Sequence, residues 1–522
     1  MWKRNNPGCR LPLPIGSALF CLWLLAGCAV GPDFVRPQPP AATQLTQGQE
    51  PTVTVAADGK AQHFERGAKI AADWWRLFQS PQLDKVIQEA VAQNANLQSA
   101  QARLRQSQEN LRAGYGVFFP QIGGSFSPSR QRFTTAQFGA ANAPGSIFSL
   151  FTSSVSVSYI LDVFGGQRRT VEGLAAQVDY QNYTAAATYL TLLGNVVNAT
   201  VAQAAYRAQI EATQQLIGFQ KEQLRITETQ AQAGTVPYAD VVSIQAQLAA
   251  TSATLPPLKQ NLNKTNHLLA ALVGRIPAEW SAPQLDLKDF TLPKDLPITL
   301  PSELVHQRPD ILAAEATLHA ASANIGVATA AMFPSFNLSA SYGQTAVEIT
   351  KLFGTAANIW SVGANLAQPL FTGGSLWHQR KAAIEAYQAS ASDYRQVVVS
   401  AFQQVADALR AVEYDAETLK AQAAALAAAD QALQLVQTNY KAGLVNYLQV
   451  LTADNQYQQA KLGYIQAQAL RFQDNGALFV ALGGGWWNRE PQMAGSNLVT
   501  PIKTVTPPAA QAPQPSGSTR QP

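Results

Sequence analysis

Apolar positions in this chain follow two periods. Between Leu376 and Ala442 there is neither Gly nor Pro, and Gly373-Gly374 and Gly443 bracket the stretch. Within it Val398, Val405, Val412, Leu419, Leu426, Leu433 and Tyr440 recur every seven residues, flanked mostly by Ala, Gln, Asp and Glu. A strict seven-residue apolar repeat predicts a left-handed coiled coil, here built on one helix about 100 Å long. Elsewhere the period is two. Ile122, Gly124 and Phe126 alternate with Gly123, Ser125 and Ser127, and Val155, Val157 and Tyr159 with Ser156 and Ser158. After Phe333-Pro334, Phe336, Leu338, Ala340 and Tyr342 alternate with Ser335, Asn337, Ser339 and Ser341. Trp360, Val362, Ala364 and Leu366 then alternate with Ser361, Gly363, Asn365 and Ala367. Each run predicts a strand of about ten residues with one apolar and one small polar face. That is the length and pattern of a transmembrane β-strand, although a half-buried soluble sheet shares the period.

Breakers and caps set the remaining elements. Ser80-Pro81 reads as an N-cap with Pro at the first helical position, opening a helix to about Gly114. A second long helix is expected from about Gln167 to Ala233, a turn at Gly234-Thr235-Val236-Pro237, and a helix from Tyr238 to Val273. Arg308-Pro309-Asp310 opens a helix to about Ala331, and Tyr447 starts the last one, which ends before Gly483-Gly484-Gly485. The order helix, strand, loop, strand, Gly-Gly, very long helix, Gly turn, helix therefore occurs twice. Ala233-Gly234-Thr235-Val236-Pro237-Tyr238 matches Ala442-Gly443-Leu444-Val445-Asn446-Tyr447 at an offset of 209 residues, and Phe119-Pro120 matches Phe333-Pro334 at 214. Shifted by 209, the heptad stripe falls on Tyr189, Val196, Gln203, Ile210, Ile217, Leu224 and Ala231. Four strands cannot close a barrel, and open edges are not tolerated in lipid, so spanning strands demand that several chains pool them.

The N-terminus changes the picture of where this happens. Lys3, Arg4 and Arg10 precede a short apolar core, Ile15 to Leu25, and then Leu25-Ala26-Gly27-Cys28. A basic head with a short apolar core is a secretory signal, and the last four residues resemble a bacterial lipobox, which implies acylation at Cys28. Ala29, rather than Asp, follows the cysteine and points to the outer membrane. No other run approaches the ~18 apolar residues of a spanning helix. Cleavage would leave Cys28 as the sole cysteine, so no disulfide is expected within the chain. It would also reduce the formal balance from +4 to +1, with 34 basic against 33 acidic residues, which leaves no case for nucleic-acid binding. The expected organisation is 1–27 signal, 28–71 extended or weakly ordered acylated lead, 72–274 first repeat, 275–301 Pro-rich connector, 302–485 second repeat, and 486–522 disordered tail.

His63, His267, His306, His319 and His378 are scattered without metal-ligand spacing, and no phosphate loop or nucleophile elbow occurs. No catalysis, cofactor or metal is expected. Several motifs, in order, resemble those of the outer membrane efflux proteins, the TolC-like outer membrane factors, and within them the lipoprotein branch typified by OprM and NodT. They are Cys28 through Pro37, Asp73-Trp74-Trp75 with Phe78, Gln307-Arg308-Pro309-Asp310-Ile311, Phe333-Pro334, and Gln368-Pro369-Leu370-Phe371-Thr372-Gly373-Gly374. The resemblance implies a mixed α/β membrane fold. It implies a homotrimer that shares a twelve-stranded β-barrel in the outer membrane, four strands from each chain, and a periplasmic α-barrel of coiled-coil helices. It also implies a periplasmic adaptor and an inner-membrane pump, commonly of the resistance-nodulation-division type, with the chain as a passive conduit for small molecules. The gate and adaptor contact would lie at the helical tips, with Gly234, Val236, Tyr238, Asp240, Gly443, Leu444, Tyr447 and Leu448 as candidate residues. Asp240 suits either a gate acid or simple stabilisation of a helix N-terminus. Thr452 and Asn455 stand where this branch carries an acid and an Arg, so a salt-bridged gate is not expected. A conduit for protein secretion shares this fold, and a poreless coiled-coil lipoprotein shares its helices.

Overall fold

The computed structural model describes residues 29–133 and 146–488, other than Thr43, Gln47, Gln49 and Glu50. Cys28 and the tail beyond residue 488 lie outside the described residues. Eight helices of seven residues or more are described: α1 (Pro81–Gln93), α2 (Ala95–Gly114), α3 (Gly166–Gln232), α4 (Tyr238–Val273), α5 (Pro301–Gln307), α6 (Pro309–Ala330), α7 (Ser375–Lys441) and α8 (Tyr447–Ala481). The strands are β1 (His63–Arg66), β2 (Gln121–Phe133), β3 (Ser146–Leu161), β4 (Asp295–Ile298), β5 (Ser335–Ala346) and β6 (Asn358–Ala367). The two long helices, α3 and α7, are 67 residues each. In α7, Val398, Val405, Val412, Leu419 and Leu433 of the heptad stripe are buried within the single chain.

Each long helix is flanked by short ones stacked end to end. In the first repeat α2 packs along the upper part of α3 and α4 along the lower; in the second, α6 and α8 do the same for α7. The two junctions are equivalent. Asn94, the N-cap residue of α2, donates from Nδ2 to the Leu272 carbonyl at the end of α4 (2.8 Å). Arg308, the N-cap residue of α6, donates from Nη1 to the Ala481 carbonyl at the end of α8 (2.7 Å). Leu272 and Ala481 are 209 residues apart and Asn94 and Arg308 are 214, the same two offsets that relate the repeats. In both places a side chain at a helix start satisfies a carbonyl left orphaned at another helix end.

Four expectations need correction. The helix foreseen from Pro81 to Gly114 is broken at Asn94, whose backbone is extended (ψ 120°) and whose Oδ1 accepts from Leu97 N at 3.0 Å. Three of the four long strands exceed the ten residues expected: β2 has 13, β3 16 and β5 12. The lead is not loose. Asp33 pairs with Arg169 (2.6 Å), Arg36 with Glu315 (2.6 Å), and the Phe34 ring stacks on His319 at 4.4 Å. Gly31, at φ +96°, lies so close to α6 that a Cβ there would sit 2.5 Å from the Gly326 Cα. The Pro-rich connector carries order of its own, which is no departure from expectation: β4 pairs in parallel with β1, and Leu285, Phe290, Leu296 and Ile298 are buried in the main core. Finally, α3 contains an 18-residue stretch with mean hydropathy 1.2, apolar enough to cross a membrane, of which 61 % is buried inside the fold. Leu190, Leu193, Val196 and Val197 of α3 face the core rather than lipid.

That core forms where the helix ends meet. Trp74 is fully buried, stacked on Phe479 of α8 at 5.2 Å and meeting Phe78 edge-on at 6.4 Å. Aromatic pairs in these geometries contribute about 0.5–1.5 kcal/mol beyond area burial.

Candidate functional site

Two regions can carry function, the four-stranded sheet and the far tips of the helices. The sheet is antiparallel in the order β2-β3-β5-β6. Its register sorts the side chains into two faces. Gly124, Val155, Tyr342 and Trp360 are in one row, and Ile122, Val157, Ala340 and Val362 in another on the same side. On the other side, the row between these two is Gly123, Ser156, Ser341 and Ser361, and the row beyond Gly124 is Ser125, Ser154, Gly343 and Ile359. On the polar side serine hydroxyls bridge neighbouring strands: Ser125 to Ser154 at 3.0 Å and Ser341 to Ser361 at 2.8 Å. This face is neutral and rich in hydroxyls and glycine, with Ile359, Ile160, Leu150 and Phe148 as its large apolar members. The apolar side chains Ile122, Trp360, Val362 and Leu366 are all more than half exposed in the single chain.

At the other end of the molecule both long helices terminate in the same way. Gly234 (φ +74°) and Gly443 (φ +72°) adopt the left-handed conformation that closes each helix. Thr235 N donates to Gln230 O at 2.9 Å, and Leu444 N to Asn439 O at 2.9 Å. The αL residue costs an L side chain roughly 1–2 kcal/mol, so glycine is required at both turns.

The candidate tip residues separate into two environments. Tyr447 is 4 % exposed; it packs on Ile244 of α4 and Val450, and meets the Tyr440 ring edge-on at 5.7 Å. Its counterpart in the first repeat, Tyr238, is 70 % exposed. Leu444 and Leu448 project into solvent and Val236 is half-buried. Asp240 is half-buried in the first turn of α4 and makes no ion pair among the described residues. Together Val236, Asp240, Tyr440, Tyr447, Phe219 and Ile226 line a concavity of about 620 Å³. Burial raises the pKa of both the Tyr440 and the Tyr447 phenols.

One turn or more above the tip the repeats are joined by polar contacts that periodicity alone did not foresee. Gln247 of α4 donates to the Asn455 side chain of α8. Thr452 instead bonds back to the Leu448 carbonyl of its own helix at 2.9 Å. Asp454, only 4 % exposed, accepts from Gln220 of α3 at 2.9 Å, and burial raises its pKa. Its Oδ1 has no hydrogen-bond partner. The heptad stripe, which ends at Tyr440, gives no signal for this contact.

An outer membrane efflux protein family model matches residues 86–275 and 300–484, most of both repeats. The chain belongs to the outer membrane efflux protein family. The pyoverdine export outer membrane protein OpmQ of Pseudomonas aeruginosa is 29 % identical over 438 residues, 83 % of this chain and 92 % of that one. The cation efflux system protein CusC of Escherichia coli is 27 % identical over 476 residues, 90 % of this chain and 98 % of that one. The solved outer-membrane channel OprN superposes with a TM-score of 0.80 at 26 % identity, covering 88 % of this chain and all of that one. This efflux protein is therefore an outer-membrane component of an efflux system, with a TolC-like fold.

Proposed function

We propose that three copies close their sheets into a twelve-stranded barrel and that the conduit so formed passes small molecules from the periplasm, or from an inner-membrane pump, to the exterior. The observation that carries this reading is the two-faced sheet: a face of mainly Val, Ile, Leu, Tyr and Trp side chains against lipid, interrupted by the row Phe126, Ser153, Gln344 and Asn358, and a neutral face rich in serine and glycine against water. β2 and β6, the edge strands, run in opposite directions, so β6 of one copy can pair antiparallel with β2 of the next. Closure by further copies removes the open edges that lipid forbids. The helical tips favour the same assembly. Tyr447 is buried by the other repeat of its own chain, whereas the equivalent Tyr238 is left exposed. In a pseudo-sixfold ring a neighbouring chain supplies the missing surface.

The lead supports an anchor at Cys28. Val30 N donates to Phe164 O at 3.0 Å, and Ala29 packs against Gly165 at the junction of β3 and α3. An acylated residue 28 would thus enter the membrane beside the base of the barrel. The tips at Gly234 and Gly443, with Val236, Tyr238, Asp240, Leu444, Tyr447 and Leu448, are the gate and the contact for a periplasmic adaptor. The adaptor joins the conduit to an inner-membrane pump, of the resistance-nodulation-division type. Relatives that export cargo as different as pyoverdine and cations match over similar lengths, which favours selection of cargo by the pump.

A pair of adjacent substitutions in β5 tests the reading. Ser341→Lys places one cation per chain in the lumen and shifts the reversal potential in planar bilayers toward anions while the trimer still assembles. Tyr342→Lys places the same charge against lipid near the mid-height of the barrel, costs about 2–4 kcal/mol, and blocks insertion. Absence of any single-channel conductance from a purified oligomer would sink the conduit, and reversal of the two phenotypes would invert the faces.

A further inference from the structure

The chain's membrane sheet is almost free of charge. Across residues 121–133, 146–161 and 335–367 the charged side chains are Arg130, Arg132, Glu348 and Lys351. Lys351 and Glu348 pair with each other at 2.6 Å. Arg130 and Arg132 are exposed and have no ion pair or side-chain hydrogen bond among the described residues. Their position on the strand is specific. In β2 the even-numbered residues Ile122, Gly124, Phe126 and Pro128 belong to the apolar face, and Arg130 and Arg132 continue that same face. Both arginines therefore look away from the lumen, where Ser125, Ser127, Ser129 and Gln131 point.

Their height follows from strand geometry. At about 3.3 Å per residue and a tilt of about 40°, Arg130 stands about 23 Å and Arg132 about 28 Å above Gln121, at the helix-proximal end of β2. The apolar band of an outer-membrane barrel is about 25 Å tall. Two guanidinium groups thus emerge on the lipid-facing side at the upper border of the band, level with the headgroups of the outer leaflet.

We propose that Arg130 and Arg132 form a phosphate-binding site for the phosphorylated glycolipid of the outer leaflet, lipid A. The proposal rests on the barrel reading above. An unpaired arginine here is otherwise a liability, because a guanidinium next to hydrocarbon without an anion is poorly solvated. A lipid A phosphate presents planar sets of oxygens that the guanidinium fork binds in bidentate fashion, with more geometric specificity than an ammonium. Six arginines around a trimer would ring the barrel with a positive collar opposite a phosphate-rich surface.

The test uses the full-length oligomer in nanodiscs, with retained lipid counted by native mass spectrometry. The probes are bisphosphorylated lipid A, enzymatically dephosphorylated lipid A and phosphatidylglycerol. Wild type is expected to retain bisphosphorylated lipid A at least tenfold over the dephosphorylated form and over phosphatidylglycerol. The double variant Arg130→Ser/Arg132→Ser loses that preference; Arg130→Lys/Arg132→Lys, which keeps the charge and guards against a folding defect, keeps an intermediate one. Equal retention by wild type and the serine variant, or of lipid A with and without phosphate, overturns the proposal. Equal retention of phosphatidylglycerol overturns the assignment to a glycolipid. Conductance of the same preparations separates the two readings: channels that conduct but show no lipid preference refute the site alone, whereas wild type without conductance refutes the barrel.

Discussion

Replacing Arg308 with Ala tests whether the helix junction of the second repeat is held by one side chain. The guanidinium is 7 % exposed. It donates to the Ala481 carbonyl (2.7 Å), to the Ala401 carbonyl (3.3 Å), to Gln404 Oε1 (2.7 Å), and as a fork to both Asp310 oxygens (3.0 and 2.6 Å). These five bonds are not equal. Asp310 is 40 % exposed and hydrates when abandoned, so that ion pair contributes little. Gln404 is exposed and hydrates too. Ala401 sits mid-helix, where its carbonyl keeps an intrahelical partner. Ala481 closes α8, and its carbonyl lies past the last intrahelical donor. An orphaned buried acceptor costs about 1–3 kcal/mol, and the lost charge-assisted bond and stem packing bring the total to about 3 kcal/mol. A large membrane oligomer unfolds irreversibly, so the assay is the rate at which helical circular dichroism is lost at a fixed temperature. If the clasp is absent from the unfolding transition state, Arg308→Ala accelerates that rate by roughly 100-fold. Arg308→Lys recovers less than half of the loss on a logarithmic scale, since one ammonium cannot serve both the carbonyls and the fork. Asp310→Asn changes the rate only a few-fold. The reasoning fails if Arg308→Ala stays within threefold of wild type, or if Asp310→Asn is as damaging as Arg308→Ala.

Asp415 of α7 is held up to about 7 by burial and by the neighbouring Asp474 carboxylate, with Arg471 opposing. A carboxyl whose folded pKa is raised binds more protons in the native state, so its contribution to stability is lost as pH rises from about 4 to about 7. Wild type should therefore melt at a lower temperature at pH 8 than at pH 5.5, and Asp415→Asn should flatten the difference; a profile unchanged by that substitution refutes the assignment. Gly443→Ala and Gly234→Ala meet open space but force an L residue into positive φ, so each should destabilise its turn by about 1–2 kcal/mol, equally and additively in thermal melts. Markedly unequal effects would mean that the two turns are not equivalent. Trp74→Ala opens a cavity against Phe479 and Phe78 and should cost about 3–5 kcal/mol, read as loss of assembled oligomer on semi-native gels.

Much of the local structure was legible in the sequence, because helix and strand periods are properties of neighbouring residues. The seven-residue stripe in α7 and the glycines at 165, 234, 374 and 443 mark helices within a residue or two of where they stand, and the two-residue alternation marks β2, β3, β5 and β6 but stops short of the full length of the first three. The repeat offsets even relate Leu272 to Ala481 and Asn94 to Arg308. The role of those pairs was not legible. Proline at the first helical position explains Arg308-Pro309-Asp310 adequately by itself, and only the approach of α8 turns Arg308 into a clasp. Asn94 is of a residue type that caps helices, but no Gly or Pro stands between Pro81 and Gly114 to mark a break, so one helix was expected where there are two.

The elements and their faces follow from contacts between residues fewer than eight apart, and their duplication from matching motifs 209 residues apart, so all three can be read from the chain alone. Which equivalent residues share an environment is settled by packing. Tyr238 and Tyr447 occupy the same place in the repeat, yet one is exposed and the other buried, because the chain supplies a second repeat to cover Tyr447 and none to cover Tyr238. The lead and connector, low in regular periodicity, take their order from surfaces hundreds of residues away: Arg36 from Glu315, Gln62 from Asn475, and β1 from β4. Burial depends on what arrives from elsewhere in the chain, and no local pattern encodes that arrival.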